Sequence, residues 1–461
     1  MQNGTLYNTT LRKQLHLRFF CGTIECEQNK IRGSDDMIDV NLIRQDAQAI
    51  HDRYLKRGKD IDFTEFLKWD EQRKAIIAEV EAMKAQRNKV SAQIPQLKKQ
   101  GVDVAETIKE MKALGDTIAA KDAELNTVND KIRDFLLRLP NLPDEDLLAG
   151  GKENNRPIRT FGTKPQYDFT PKDHVELAKS LGLIDYERGV KLAGNGSWIY
   201  TGLGARLEWA LLNYFIDSHL AKGYTFMLPP YMLNYECGLT AGQFPKFEGD
   251  VYQIANGEGR KFMLPTAETA LVNLFRDEIL DEKDLPKKYF GYSACFRREA
   301  GSYRAEERGM IRGHQFNKVE LFQYTTPDHS DEAFEEMVNM ACGLVEGLGL
   351  HYQLSKLAAG DCSDSMARTY DIEIYIPSMN IYKEVSSASN ARDYQARRGN
   401  MRYRRADGKL DFVHTLNASG LATSRVFPAI LEQNQNADGS VTIPEALRKY
   451  MGGMEKLEPL K

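Results

Sequence analysis

The feature that most restricts the fold of this chain is a pair of apolar stripes near its N-terminus. Phe66, Trp69, Ile76, Val80, Met83, Val90, Ile94 and Leu97 recur at alternating spacings of three and four, with Arg73 and Arg87 filling the two vacant positions. Gly101 interrupts the run, and a second stripe follows: Val104, Ile108, Met111, Ile118, Leu125, Val128, Ile132, Phe135 and Leu139, ended by Pro140 and Pro143. A 3.5-residue repeat puts each set on one narrow face of a helix. Each seam can be covered only by the other, so the pattern predicts an antiparallel helical hairpin. The first helix would run roughly 55 Å at 1.5 Å per residue, long enough to project from a compact domain. Pro95 should kink it near the tip. The first helix mixes Lys and Arg with Glu and Asp. That suits an ordinary solvated coiled coil, or an arm lying along a nucleic-acid backbone.

The rest of the 461 residues leaves room for a sizeable core and two to three domains. A net charge of -4 argues against a uniformly basic coat but not against a local basic surface. The six cysteines form no CxxC pair, which disfavours a thiolate zinc site and fits a reducing, cytoplasmic setting. No apolar run reaches the ~18 residues of a membrane span, so no membrane partner is expected. Residues 1–36 read as a loose tail or an upstream start, with an organellar presequence as the alternative, and Met37 as the start of the folded chain.

A segment rich in Pro, Gly and Asn, "LPNLPDEDLLAGGKENNRPI", marks a linker after the hairpin. Beyond it, strand-like runs ("KKYFGYSACFRR", "QFNKVELFQYT", "DIEIYIP", "YKEVSSAS") alternate with helical ones ("GARLEWALLNYFIDSHLAKG", "DEAFEEMVNMACGLVEGLGL"). The expectation is an α+β protein: an antiparallel sheet flanked by helices. The boundaries drawn are 1–36 for the extension, 37–145 for the arm and 146–461 for the sheet domain.

Chemistry concentrates in "FRREAGSYRAEERGMIRGHQFNKVELF". If "CFRRE" is a strand, Arg297 and Glu299 share a face and Arg298 takes the other; on the returning strand Phe316, Lys318 and Glu320 align. Guanidinium forks bind phosphate, carboxylates bind ammonium, and an aromatic face stacks on a base. Such a face fits a ligand with a phosphate, an amine and a heterocycle, or else a network of cross-strand ion pairs. Neither a GxxxxGK[ST] loop nor a GxGxxG turn is present, so a nucleotide site would depend on strand-borne Arg. Elsewhere, Thr266 and Glu268 in "LPTAETAL" suit a helix start. Glu384 and Ser387 form an oxygen pair able to hold a hard cation, or an ordinary strand end. "LNASGLATSRVFPAILEQNQ" reads as a loop of small residues with Arg425 ahead of a helix.

In sequence and order these segments resemble the seryl-tRNA synthetases of class II: the charged stretch is similar to motif 2, "LNASGLATSRVFPAILEQNQ" to motif 3, and "YTFMLPPYML" with Pro230 to motif 1. "PTAE" and "EVSS" fall where that family places them, and the hairpin from "MIDVNLIRQD" resembles its tRNA-binding arm. The resemblance spans Met37 to the C-terminus. It implies a class II synthetase sheet flanked by helices with an N-terminal antiparallel coiled-coil arm. It implies activation of L-serine by ATP and transfer to tRNA(Ser), and to tRNA(Sec) where the host has one, by a cytoplasmic homodimer.

Carried over residue by residue, the resemblance makes Arg297 and Arg425 the catalytic groups. Arg297 would clamp the α-phosphate and the serine carboxylate; Arg425 would cover adenine and reach the γ-phosphate. Thr266, Ala267, Glu268, Glu320 and Ser419 would hold serine. Arg298, Glu299, Arg312, Gly313, His314, Gln315, Phe316, Glu384, Val385, Ser386 and Ser387 would border ATP beside the two catalytic arginines. Phe316 would stack on adenine, and Glu384 and Ser387 would bind Mg2+. The chain departs from the family pattern in "FRREAG", in "NASG" at 417–420, and in "LATSRV", which touches the surroundings of Arg425. The alternatives are a seryl-adenylate-forming homologue that loads a non-tRNA acceptor, a degenerate RNA-binding scaffold, and a paralogue that tolerates a seryl-mimicking inhibitor.

Overall fold

A computed structural model describes residues 37–255, 259–299 and 309–461. The N-terminal extension and most of the charged loop of motif 2 lie outside the described residues.

Two short helices, α1 (Val40–Gln45) and α2 (Ala47–Lys56), lead into α3 (Thr64–Lys99) and α4 (Ala105–Arg138). The hairpin expected from the stripes is present. The links Gln72–Glu124, Lys121–Glu79 and Lys84–Asp122 cross it in antiparallel register. Its turn needs Gly101, at φ +77, a conformation a Cβ disfavours. The helix α3 runs on through Pro95 to Lys99. Burial is uneven along the seam. Phe66, Ile76, Val80, Ile118, Val128, Ile132 and Leu136 are buried towards the base, and Phe66 stacks on Phe135 at 5.7 Å. Towards the tip Val90, Ile94 and Leu97 are not among the buried residues and Ile108 is exposed, although Val104 beside the turn is buried; each helix there has a single partner to cover it.

The base of the arm is fastened by polar contacts. Arg57 donates to the carbonyls of Cys362, Ser363 and Met366. Asn141 Nδ2 donates to the carbonyls of Ser365 and Ala391 at 3.0 and 2.8 Å.

The larger part is an eight-stranded sheet: β1 (Arg156–Phe161), β2 (Thr225–Met227), β3 (Lys287–Phe296), β4 (Gln315–Thr325), β5 (Tyr352–Lys356), β6 (Arg368–Ile376), β7 (Ile381–Arg392) and β8 (His414–Ala422). Their order is β1-β5-β6-β7-β8-β4-β3-β2. Every pairing is antiparallel except β2 with β3. Three helices, α5 (Gly202–Ala221), then α7 (Ser330–Gly347) and α9 (Thr423–Gln433), pack with Val319, Leu321, Ile372, Ile374 and Ala418 into the main core. The two remaining helices used below are α6 (Glu268–Leu271) and α8 (Tyr394–Arg398).

Strand alternation decides what faces the other way. Phe316, Lys318 and Glu320 on β4, Asp371 and Glu373 on β6, and Asn417 and Ser419 on β8 all alternate with core residues. The polar side of the sheet is thus gathered on one face. The loop expected at 417–422 is instead a buried central strand, and Arg425 sits inside α9 rather than ahead of it. Small residues are required there because α5 approaches closely: a Cβ at Gly420 would lie 2.3 Å from His219 Nε2.

Candidate active site

The strand β3 ends at Phe296, so "CFRRE" is only partly a strand, but the ladder continues through Arg297 N donating to His314 O at 2.9 Å. That keeps Arg297 on the polar face, where its guanidinium lies 5.1 Å from the Phe316 ring centre and its Nε donates to Pro265 O at 3.3 Å. Arg298 turns the other way and donates to Gly249 O at 2.8 Å. Glu299 takes φ +49 and returns towards the cleft, where it accepts from Arg312 Nε at 2.7 Å.

Arg297, Glu299, Arg312, Gly313, Phe316, Glu384, Val385, Ser419 and Arg425 line one cleft of ≈ 90 Å³. Glu384, Ser387 and Arg425 also line an adjoining cavity of ≈ 630 Å³. The two spaces are parted by Arg425, whose Nη1 donates to the Glu384 carbonyl at 2.6 Å and lies 3.6 Å from its carboxylate. Gly313 must be glycine: a Cβ would lie 2.2 Å from the Trp198 ring. His314 and Gln315 do not line the cleft; His314 Nδ1 lies 3.1 Å from Arg297 O, and Gln315 is exposed. Ser386 stands behind it, donating to Ser419 O at 2.6 Å.

Deeper on the same face lies a buried charged cluster. Glu268 N donates to Thr266 Oγ1 at 3.3 Å, but α6 has the fully buried Ala267 as its N-cap, so Thr266 stands one residue before the cap position the sequence suggested. Glu320 pairs with Lys318, and Lys318 Nζ donates to Thr266 Oγ1 at 2.8 Å. Ser419 Oγ and Asn417 Nδ2 reach Glu320 at 3.5 and 3.3 Å. Burial, then the charge of Glu320, push the Glu268 carboxyl up to about 7. Asn417 Oδ1 is buried with no hydrogen-bond partner, which is costly unless a ligand hydroxyl or amine supplies one. Lys318 and Asn417 were not among the residues expected to bind; alternation with Phe316 and Glu320 was the signal that could have found Lys318, whereas Asn417 lay in a stretch read as a loop.

Among the described residues no group of three His, Cys, Asp or Glu is arranged to hold a metal. The oxygen set at β7 nevertheless suits a hard cation shared with a ligand. Ser387 Oγ lies 3.1 Å from Glu384 Oε1 and donates to Asp371 Oδ1 at 2.6 Å. Burial raises the Glu384 pKa, but Arg425 and Arg297 outweigh it and hold the carboxyl below its ordinary value. Asp371 is raised by burial and by the charge of Glu384.

The chain that carries this site has known relatives. Residues 251–434 match the class II core domain of tRNA synthetases for G, H, P, S and T, and residues 37–143 match the seryl-tRNA synthetase N-terminal domain. The chain is 60% identical over 421 residues to serine–tRNA ligase 2 of Clostridium acetobutylicum, covering 90% of this chain and 99% of that one. It is 49% identical to a serine–tRNA ligase of Clostridium botulinum, covering 92% and 100%. In structure it is similar to the seryl-tRNA synthetase of Pyrococcus horikoshii complexed with ATP: TM-score 0.86, 33% identity, 92% of this chain and 100% of that chain. Matched along both the arm and the sheet domain, the chain belongs to the seryl-tRNA synthetases of class II, and its activity is that of a serine–tRNA ligase.

Proposed function

We propose that the cleft on the polar face binds ATP and the buried cluster behind it binds serine. The observation that carries this reading is the convergence of Arg297, Phe316 and Arg425 at one cleft, with Glu268, Glu320 and the unpartnered Asn417 Oδ1 behind it. Serine's ammonium would pair with Glu268 and Thr266, and its hydroxyl with Glu320, Ser419 and Asn417. Its carboxylate would then attack the ATP α-phosphorus in line, releasing pyrophosphate and leaving seryl-adenylate. In the second step the terminal ribose hydroxyl of tRNA(Ser) attacks the seryl carbonyl and AMP leaves. No side-chain nucleophile is needed. Arg297 bridges the carboxylate and the α-phosphate, and charge at fixed positions does the rest. Glu384 and Ser387 would hold Mg2+, which supplies charge neutralisation along the phosphates when bound. Opening the Arg425–Glu384 contact would join the two cavities, which fits a path for the triphosphate from one to the other.

The arm, by its projection and its Lys and Arg, would take the tRNA, including tRNA(Sec) where the host has one. A homodimer is supported by the exposed apolar residues on and after α5: Trp209, Leu228 and Met232. Among the described residues no helix is long and apolar enough to cross a membrane, and Cys237, Cys295, Cys342 and Cys362 are free thiols, which fits work in the cytoplasm.

The test is the Mg2+ dependence of ATP–pyrophosphate exchange. Glu384→Ala should raise the half-saturating Mg2+ concentration while leaving the serine KM unchanged. An unaltered Mg2+ titration would remove Glu384 from the site.

A further inference from the structure

Gln395 lies on α8, outside every segment that resembles a motif of the family, yet it reaches the serine end of the site. Its side chain is 1 % exposed. Nε2 donates to Glu268 Oε1 at 2.8 Å and to the Ala241 carbonyl at 3.2 Å, while Oε1 accepts from Thr415 Oγ1 at 2.8 Å. The amide cannot be turned over, because Glu268 and Ala241 both offer acceptors and need the NH2 end. Its helix has only five residues, but the flanking side chains pin it. Tyr394 Oη donates to Leu139 O at 2.8 Å, and Arg398 donates to Leu137 O at 2.8 Å and Leu239 O at 3.3 Å.

We propose that Gln395 is a positioning residue for serine activation: it fixes one oxygen of Glu268 so that the other is held towards the ammonium of the substrate. The proposal rests on the reading of Glu268 as a serine ligand. No other side-chain hydrogen bond reaches the Glu268 carboxylate among those the described residues display, so its orientation depends on this amide. The charged groups around Glu268 are Glu320 and Lys318 from β4 and Arg297 after β3. Burial and Glu320 raise the carboxyl, whereas Gln395, Lys318 and Arg297 act against them. Losing the amide should therefore both loosen the carboxylate and make it harder to ionise.

The experiment is pyrophosphate exchange with serine and ATP varied separately across pH, for the wild type, Gln395→Met, Gln395→Glu and Glu268→Gln. Gln395→Met should raise the serine KM roughly 10- to 100-fold, the usual effect of removing a hydrogen bond to a charged group, with the ATP KM unchanged. The pH midpoint of kcat/KM for serine should move upward. Gln395→Glu keeps size and shape, so it covers the case in which the Met variant fails to fold. It sets a second carboxyl against Glu268, and its serine KM should be worst at high pH and recover in part as pH falls and the pair shares a proton. Serine KM and midpoint unchanged in a folded variant, or serine and ATP KM rising together as for a merely structural side chain, would overturn the proposal. A raised serine KM in Glu268→Gln but not in the Gln395 variants would overturn it alone. No change in Glu268→Gln would overturn the reading of Glu268, and the proposal with it.

Discussion

The arm and the sheet both bury carboxylates and treat them in opposite ways. Asp70 on α3 is 1 % exposed, and Arg44 clasps both its oxygens at 2.8 and 2.7 Å, with Arg73 and Lys74 each adding a contact at 2.9 Å. The hydrogen bonds from Arg44 lead the effects that hold its carboxyl far below the ordinary range. Glu268, on α6 beside the polar face of the sheet, has one amide donor and a like charge beside it, and its carboxyl is raised. The chain cancels the first charge by itself. The second has no cation bonded to it, which fits the serine site proposed above.

The largest effect should come from withholding the group that completes the cluster. Alanine, which lacks the hydroxyl expected at Glu320 and Asn417, should be activated roughly 10⁴-fold less efficiently than serine. Efficient alanine-dependent pyrophosphate exchange would show that the buried polar groups read something else, and the contrast with Asp70 would collapse. The reciprocal test is in the arm. Asp70→Asn leaves the buried Arg73 and the half-buried Arg44 without their carboxylate and should cost about 3 kcal/mol in urea unfolding of the arm, the low end for a broken buried pair, with serine activation unaltered. A folded-state pKa below the ordinary Asp value means that this stabilisation is present above about pH 4 and fades as pH falls below it. An unfolding curve indifferent to the substitution would mean that the arm's charge does not hold it together.

Arg297→Lys comes next. A point charge cannot bridge two oxyanions as a planar fork does, so exchange should fall by about 2.7–4 kcal/mol of transition-state stabilisation in a protein with normal circular dichroism. Near-normal exchange would take Arg297 out of the chemistry. The smallest effect concerns pH. If serine's ammonium needs Glu268 ionised, a carboxyl at about 7 makes kcat/KM for serine fall as pH falls through that value, roughly tenfold between about pH 8 and about pH 6. A flat profile across that window would sever Glu268 from serine binding.

Much of this was legible in the sequence, for reasons that differ by region. Heptad spacing is local, so the hairpin and its antiparallel sense could be read directly. What spacing could not give was the fading of burial from Val80 towards the tip, which depends on how many partners cover the seam. On the sheet, alternation put Phe316, Lys318 and Glu320 on one face, as found. It failed at 417–422, because small residues look the same in a loop and in a strand pressed against a helix; at Gly420 the pressure comes from His219, 201 residues earlier in the chain. Strand parity also separates Arg298 from Arg297, although resemblance would place both at the nucleotide. Gln395 carried no signal at all. Only the folded chain brings its amide to Glu268.

The central claim is that the two regions do separable work: the sheet makes the adenylate and the projecting arm delivers the tRNA. The cut must spare the base, since Leu137, Leu139 and Asn141 are hydrogen-bonded to the sheet part. The direct measurement replaces residues 83–119 with a short Gly-rich turn and compares pyrophosphate exchange with tRNA(Ser) charging in the shortened and full-length proteins. The account predicts exchange at the full-length rate and charging lost, with charging by the full-length protein weakening as salt rises through counterion release. Charging of tRNA(Ser) at the full-length rate by the shortened protein would contradict it and leave the hairpin as a structural coiled coil.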